Sequence, residues 1–260
     1  MKFIPLYSGS TGNSSLCISD SVKLLIDAGV SCTALINALN KLSIPPKEIN
    51  AIIISHDHVD HTRGAGVFSR RFSVPIYANE LTWEAMKPNL GEISPSLIRY
   101  FRTNEDFYIG DINVFPFNTP HDAADSVGFS ITCGGRKLFY LTDVGRFYNW
   151  MADRGENADC AYVEANHNRE LVKRCRTYPY QLKLRILSDR GHLSNEDCAQ
   201  LLMKLHERGL RNAILAHLSK ENNTPELAYT TVTRILEANG IHDMTITVAK
   251  RSDVTGIFEI

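Results

Sequence analysis

The feature that most constrains this chain is the polar run Ser55–His61, with the letters SHDHVDH, which directly follows the apolar run Ala51–Ile54. Its last six residues contain three imidazoles and two carboxylates, at the end of a predicted buried strand. Uncompensated charge is disfavoured there, and imidazole and carboxylate are ligands of borderline and hard metal ions. Side chains alternate along an extended backbone, so His56 and His58 project to one side while later residues reach a second position. The run therefore predicts two ligands for each of two adjacent metal ions, rather than a loop whose histidines only form hydrogen bonds.

Composition and charge limit the class of protein. With 260 residues, 43% of them hydrophobic and 22% charged, the chain can form one large or two small globular domains. The formal net charge of -1 gives no overall basic character, so nucleic-acid binding would need a local basic patch. The six cysteines are scattered without a CxxC pair, which indicates buried thiols in a reducing compartment. Because no signal-peptide pattern or membrane-span pattern is visible, we expect a cytoplasmic protein that makes no membrane contacts.

Strand and helix patterns alternate along both halves of the chain. They predict two similar halves, each a mixed sheet with outer helices. One helix is expected over about His61–Phe72, and another is expected to start at Arg146. The helix after Gly191 is expected to begin with Ser194 as its N-cap.

Polar residues follow three further predicted strands, at His121, Asp143 and His217. Because loops at strand ends converge on one edge of an α/β sheet, we expect these residues to join the histidines of Ser55–His61. The combined set has enough ligands for two metal ions, with Asp143 as a bridging carboxylate. Its members are His56, His58, Asp60, His61, His121, Asp143 and His217. No cysteine belongs to the set, so nitrogen and oxygen ligation fits Zn, Mn or Fe without choosing among them.

Three other segments allow two interpretations each. Asp27, at a strand end, either orients a metal-binding histidine or caps the next helix. The loop Ser8–Asn13, rich in glycine and hydroxyl groups, either binds an anion through its backbone N–H groups or is a tight turn. The segment Arg169–Arg190 has seven basic and two acidic residues with tyrosines between them. It is either a patch for a phosphate backbone and stacked bases or a solvated helix face.

The cluster in Ser55–His61, taken with His121, Asp143 and His217, resembles the metal-binding pattern of the metallo-β-lactamase superfamily. The resemblance implies the α/β class, a four-layer αββα sandwich that forms a single domain over residues 1–260. It also implies ligand roles, as follows. His56, His58 and His121 would bind the first metal ion, Asp60, His61 and His217 the second, with Asp143 between them and Asp60 among the catalytic residues. Asp27 matches the superfamily's acid after the early strand, in a supporting role. Asp57 departs from the residues found there in many relatives, which is expected to change pKa values without removing a ligand.

Several short motifs narrow the resemblance to the YycJ/WalJ branch of that superfamily. They are Ser8–Asn13, Glu164–His167, Tyr178-Pro179, Gly191–Asn195 and His217–Ser219. The branch implies DNA 5′→3′ exonuclease activity, Mn²⁺ as an activator and a role in DNA repair. Gly191-His192 and Ala216-His217 also resemble the C-terminal motifs of RNase Z, which makes His192 the candidate general acid. The candidate substrate contacts are Ser8, Ser10, Asn13, Asn166, His167 and Ser194. For His167 a structural role at the strand end, and for Ser194 a role as helix cap, are the alternatives.

Three functions follow from these observations. The first is a metal-dependent phosphodiesterase acting on DNA ends, in which a hydroxide bridging two metal ions attacks phosphorus and His192 protonates the leaving oxygen. The second is a hydrolase of small esters, thioesters or phosphodiesters on the same dinuclear site, because one fold supports many reactions. The third, a non-catalytic metal-binding regulator, is disfavoured by the complete ligand set. The basic segment Arg169–Arg190 favours the first function.

Overall fold

The structure is a computed structural model that describes all residues, Met1–Ile260. Its strands are β1 Lys2–Tyr7, β2 Ser14–Ile18, β3 Lys23–Ile26, β4 Ala51–Ile53, β5 Ile76–Ala78, β6 Ile98–Tyr100, β7 Phe107–Ile109, β8 Ile112–Asn118, β9 Val127–Cys133, β10 Arg136–Leu141, β11 Cys160–Glu164, β12 Asn212–Ala216, β13 Thr245–Val248 and β14 Phe258–Glu259. Its α-helices are α1 Cys32–Lys41, α2 Val59–Thr62, α3 Ala65–Phe72, α4 Glu80–Leu90, α5 Asn149–Arg154, α6 Arg169–Arg174, α7 Tyr180–Ile186, α8 Asn195–His206 and α9 Pro225–Ala238.

The chain divides into two compact units, and the first comprises residues Met1–Asn118, Ala123–Gly135 and Lys250–Ile260. The first sheet lies wholly in this unit, with the strand order β14-β1-β2-β3-β4-β5-β6. Strands β3 to β6 are parallel neighbours, and Ile26 of β3 is in register with Ile53 of β4. The residues after these two strands therefore emerge at the same edge of the sheet. The unit also contains β9, β8 and β7 of the second sheet, in antiparallel order.

The second unit comprises residues Thr119–Asp122 and Arg136–Ala249. It contains the other strands of the second sheet, in the order β13-β12-β11-β10, and all four are parallel. Leu141 of β10 is in register with Val163 of β11, and Glu164 of β11 with Ala216 of β12. The carboxyl ends of these strands are therefore level, which brings the polar residues that follow them to one edge.

Apolar side chains from strands and helices form the core of the first unit. Leu25, Ile52 and Ile76 from three parallel strands belong to the same buried cluster as Leu35 of α1 and Phe68 of α3. Burial on both faces explains why the central strands read as continuous apolar runs, since parallel strands covered by helices have no solvent face. The ends of these strands are thus fixed by the packed apolar core.

The helix predicted over His61–Phe72 is two helices, α2 and α3, so this prediction was wrong. The backbone bond that would continue α2, from the Gly64 N–H to the Asp60 carbonyl, is replaced by two others. The Gly64 N–H donates to the Ala28 carbonyl at 2.8 Å, and the Asp60 carbonyl accepts from the Asn13 N–H at 2.8 Å. A Cβ at Gly64 would lie 2.2 Å from the Val30 carbonyl oxygen, so glycine is needed for this close approach.

Two further differences from the predicted elements are local. The helix expected from Arg146 starts at Asn149, because Tyr148 has an extended backbone, with φ of -124° and ψ of 153°, and is the N-cap. The Arg146 side chain pairs with Asp189 at 3.2 Å and contacts the Tyr148 ring. The short strand β6 was not predicted from the sequence. None of the helices has the length and apolar character needed to cross a bilayer.

Candidate metal centre and active site

In the first unit, the polar run Ser55–His61 begins directly behind β4 and ends in α2. His56 and His61 are fully buried, and their ring centroids are 4.1 Å apart. The His58 ring lies 4.7 Å from that of His56. Three imidazoles this close bring several nitrogen atoms together, and imidazole nitrogen is a common ligand of borderline metal ions.

Asp27 organises this group from the end of β3. One carboxylate oxygen accepts from the Ser55 N–H at 2.8 Å. The other accepts from the Ser55 hydroxyl at 2.9 Å and from His61 Nδ1 at 2.8 Å. Ser31, not Asp27, caps α1. Of the two interpretations of Asp27, the contacts therefore support the orientation of a histidine.

The contact with Asp27 determines which nitrogen of His61 is basic. Because Nδ1–H donates to the carboxylate, the lone pair of Nε2 is the one available to a metal ion. The Asn13 amide N–H donates to that Nε2 lone pair at 3.0 Å, a bond that a metal ion on Nε2 would replace, and the Asn13 Oδ1 accepts from the Gly9 N–H at 2.8 Å. Asn13 thus links the loop Ser8–Asn13 to the candidate ligand His61.

Asp57, the unusual residue within the run, contacts backbone outside it. Its Oδ1 accepts from the Ala124 N–H at 2.9 Å. The carboxylate therefore fixes a loop of the first unit.

In the second unit, four candidate functional residues meet at the level ends of the parallel strands. Asp143, Glu164, His192 and His217 each offer a ligand atom, and these atoms lie within 4.8 Å of one another. Asp143 follows β10, Glu164 ends β11, His217 follows β12 and His192 precedes α8. Buried imidazole and carboxylate groups in such a cluster suit a divalent cation.

Glu164 is the centre of this cluster, and it was not among the functional residues predicted from the sequence. Its Oε1 lies 2.8 Å from His192 Nδ1 and 2.9 Å from His217 Nδ1. Its Oε2 accepts from the N–H groups of Val144 at 3.0 Å and Leu193 at 3.2 Å. Its position at the end of a buried strand, like that of Asp27 and Asp143, is the sequence signal that could have identified it.

The charge of Glu164 follows from these contacts. Burial alone would raise the pKa of Glu164, but the neighbouring His192 and His217 lower that pKa to about 2. An ionised carboxylate only accepts hydrogen bonds, so both histidines donate from Nδ1. In each ring, Nε2 is left as the atom that can bind a metal ion or exchange a proton.

His192 is the candidate general acid. Burial would lower its pKa, yet the Glu164 carboxylate outweighs this effect, and the pKa of His192 is raised above its ordinary value. Its ring centroid is 5.2 Å from that of His121 and 5.3 Å from that of His217. A histidine with a raised pKa that is held by a carboxylate can donate a proton near neutral pH.

His121 is held by the loop that precedes His192. Its Nδ1 donates to the Gly191 carbonyl at 2.9 Å, and its own carbonyl accepts from Arg190 Nε at 3.1 Å and Nη2 at 2.9 Å. Arg185 donates to Asp122, the next residue. These reciprocal bonds orient the His121 ring with Nε2 as its basic atom.

Three candidate residues have unusual backbone conformations. Asp27, Asp143 and His217 have φ of 59°, 55° and 54°. The left-handed region is disfavoured for residues other than glycine and costs of order 1 kcal/mol each. Each strained turn sets the direction of the side chain that follows its strand. Strained backbone of this kind is typical of functional sites.

The structure places the candidate substrate contacts in different environments. Asn166 is buried and donates to the His217 carbonyl at 2.8 Å, so it supports a candidate ligand. Ser194 caps α8 through the Asp197 N–H and is fully buried, in agreement with the predicted helix start. Ser8 is buried and Ser10 is exposed. His167 is buried, and burial lowers its pKa to about 4, so its ring is neutral.

Most of the basic residues in Arg169–Arg190 have partners within the second unit. Arg169 pairs with Asp197, Lys173 pairs with Glu170, and Lys183 donates to a backbone carbonyl. With Arg185 and Arg190 occupied near His121, the exposed cations of this segment are fewer than its sequence indicates. Part of the basic segment therefore positions a candidate metal ligand.

Comparisons with known proteins agree with this geometry. Residues 23–218 match the model of a family described as the beta-lactamase superfamily domain. The chain is 39% identical over 233 residues to exodeoxyribonuclease WalJ of Streptococcus pneumoniae serotype 2 (strain D39 / NCTC 7466), which covers 89% of this chain and 86% of WalJ. It is 37% identical over 240 residues to exodeoxyribonuclease YycJ of Bacillus anthracis, which covers 92% of this chain and 90% of YycJ.

Solved structures share the fold at low sequence identity. The metallo-β-lactamase fold protein YhfI from Bacillus subtilis has a TM-score of 0.75 at 18% identity and covers 99% of both chains. Zn²⁺-bound PqqB from Methylobacterium extorquens has a TM-score of 0.74 at 16% identity and covers 100% of both chains. The predicted fold class, the αββα metallo-β-lactamase fold, is confirmed, as are the family resemblance, the enzyme class of metal-dependent hydrolase and the binding of divalent metal. The prediction of a single domain stays a prediction.

Proposed function

Because the chain belongs to the metallo-β-lactamase superfamily, we propose that it is an exodeoxyribonuclease that removes nucleotides from DNA in the 5′→3′ direction. The names of the curated relatives WalJ and YycJ support the reaction and the class of substrate. The observation that carries the proposal for this chain is Glu164, which holds His192 and His217 by their Nδ1 atoms. His217 is a candidate metal ligand, and His192 is the candidate general acid.

The proposed cofactor is a pair of divalent ions, Zn, Mn or Fe. The residues that would hold them are those of the predicted ligand set, His56, His58, Asp60, His61, His121, Asp143 and His217. In support, His61, His121 and His217 each direct Nδ1 to an oxygen acceptor, which leaves Nε2 for a metal ion. When bound, such ions supply an activated water and stabilise charge on a phosphoryl oxygen.

The remaining chemistry comes from side chains of the chain. His192 would protonate the 3′ oxygen of the terminal nucleotide as its bond to phosphorus breaks, with Glu164 holding the imidazolium in place. Proton donation to a poor alkoxide leaving group contributes about 10²–10⁴-fold in rate. Asn166 would steady His217 through its carbonyl.

The test uses purified protein with Mn²⁺ or Zn²⁺ and linear duplex DNA labelled at the 5′ or the 3′ end. Release of mononucleotides from the 5′ end by the wild type, and not by a variant with both His58→Ala and Asp60→Ala, would support the proposal. Release from the 3′ end would reverse the polarity. Intact DNA with every metal, alongside hydrolysis of bis-p-nitrophenyl phosphate, would favour a small-substrate hydrolase. A protein that binds metal and cleaves neither substrate would favour the ester hydrolase or the regulator over the nuclease.

A further inference from the structure

A cavity of about 520 Å³ lies in the second unit, with His192 in its wall. Tyr148, His167, Arg146 and Arg169 also line it. We infer that this cavity receives the terminal deoxynucleoside of the DNA, with its base on Tyr148. The inference rests on the proposed function. It adds the place where the released nucleotide is bound and the part of that nucleotide that is recognised.

The charge of the cavity argues for a nucleoside rather than a terminal phosphate. Arg146 lies 3.2 Å from Asp189, and Arg169 pairs with Asp197; both acids line the same cavity. The two positive charges are therefore matched by two negative ones. A phosphate group would need uncompensated cations or several N–H donors, whereas a base and a sugar are neutral.

Tyr148 supplies an aromatic face at the cavity. It precedes α5, and 42% of its surface is exposed although it is a large aromatic residue. The Arg146 guanidinium carbon lies 5.6 Å from the centroid of its ring. An exposed tyrosine ring offers a face on which a nucleobase can stack, and stacking does not select one base.

His167 supplies a neutral polar group in the wall. Its side chain is buried, with 1% of the residue exposed, and its Nδ1 has no hydrogen-bond partner. A buried polar atom without a hydrogen-bond partner destabilises the fold unless a ligand or a water molecule forms the missing bond. A neutral imidazole can exchange a hydrogen bond with a sugar oxygen or a base edge.

The position of His192 sets the direction of the bound nucleotide. In the proposed reaction a water oxygen bonds to phosphorus and the water loses a proton to solvent. The bond from phosphorus to the 3′ oxygen breaks, and the proton of His192 goes to that 3′ oxygen. The nucleoside that carries the leaving 3′ oxygen must therefore lie on the side of His192. In a 5′→3′ exonuclease this is the terminal nucleoside, the one the adjoining cavity can hold.

The first test compares DNA that ends in a 5′ thymidine with DNA that ends in a tetrahydrofuran residue lacking a base. For the wild type we expect the thymidine end to be removed about 10-fold faster, as is usual for one stacked base. Tyr148→Ala should bring this ratio close to one, and Tyr148→Phe should retain it. Tyr229→Ala is the matched control, since Tyr229 is similarly exposed, at 46%, but lies on α9 outside the cavity lining. Ends with a 5′ hydroxyl and a 5′ phosphate should be removed at similar rates.

A second test does not depend on DNA cleavage. Isothermal titration of the metal-loaded protein with thymidine should show binding that Tyr148→Ala weakens about 10-fold and Tyr229→Ala does not. If the wild type degrades DNA but neither the base preference nor thymidine binding depends on Tyr148, the inference is overturned while the proposed function stands. A strong preference for a 5′ phosphate would also overturn it. If no DNA is cleaved but thymidine binding depends on Tyr148, the proposed function fails and the nucleoside site is supported.

Discussion

At the scale of single residues, two buried acids perform the same task in different units. Asp27 accepts a hydrogen bond from His61, and Glu164 accepts from His192 and His217. In each case Nδ1 is occupied by an oxygen, which fixes both the tautomer and the ring orientation. The chemistry of the histidines thus depends on acids that are not themselves in the predicted ligand set.

Replacing Glu164 with Gln should reduce DNA hydrolysis about 10–100-fold, the usual effect of losing a group that orients a metal ligand. The amide keeps one oxygen for the Val144 and Leu193 N–H groups but loses the charge that holds two imidazoles. Initial rates at saturating Mn²⁺ and the midpoint of metal titration would measure the effect. Glu207→Gln, at a residue paired with Lys204 on the surface, is the control. Equal activity of the two variants would contradict this role for Glu164.

At the scale of elements, the loop before α8 has two tasks. It supplies His192, and it holds His121 through Arg190 and the Gly191 carbonyl. From the sequence, the basic segment that contains Arg190 was either a patch for a phosphate backbone or a solvated helix face, and several of its cations are used within the second unit. A loop that supplies the candidate general acid and also holds a candidate metal ligand links the orientation of the two side chains.

Removing the Arg190 side chain should weaken metal binding about 10-fold, because the carbonyl of His121 loses its two donors. Arg174→Ala, in the same segment but exposed at the end of α6, should leave the metal affinity unchanged. Isothermal titration with Mn²⁺ would compare the variants. If both variants lower DNA binding alike and neither changes metal affinity, the segment acts through its charge alone.

Close backbone contact between Gly29 and α2 should make Gly29→Ala destabilising. A Cβ there would lie 1.6 Å from the Asp60 carbonyl oxygen, so the backbone of the polar run must move. We expect the free energy of unfolding to decrease by about 3 kcal/mol and the Tm to decrease by roughly 6–12 °C. Gly256→Ala, where a Cβ would meet only the Phe258 ring at 3.9 Å, should melt like the wild type. Similar Tm values for the two variants, measured by circular dichroism, would show that the contact is easily relaxed.

At the scale of the whole molecule, both units place features that lower the stability of the fold at the ends of strands. Buried imidazoles and carboxylates follow β3 and β4 in the first unit and β10, β11 and β12 in the second. Three of these turns also have a left-handed backbone. The apolar strands beneath offset this cost, and a bound cation would offset it further, since it binds the folded state.

Removal of metal should therefore lower the thermal stability of the whole chain. A ligand present at 100 times its Kd stabilises the folded state by about 2.7 kcal/mol, which corresponds to roughly 5–10 °C in Tm for a chain of this size. Scanning calorimetry with excess chelator, and again after Mn²⁺ is restored, would measure the shift. The variant with His58→Ala and Asp60→Ala should show a smaller shift. A chelator-independent Tm in the wild type would contradict the expectation.

The sequence by itself determined the types of candidate ligand and their places behind apolar strands, because alternation and strand burial are local properties of the chain. The run Ser55–His61 carries most of that information, and the residues His121, Asp143 and His217 follow from the same rule. Only the tertiary structure revealed the partners: Glu164 beneath two histidines, Arg190 on the His121 carbonyl, and the break at Gly64. Each of these depends on backbone or side chains distant in sequence, and such pairings leave no local pattern. The tertiary structure also decided that many cations of Arg169–Arg190 are paired, because ion pairs form between elements that only folding brings together.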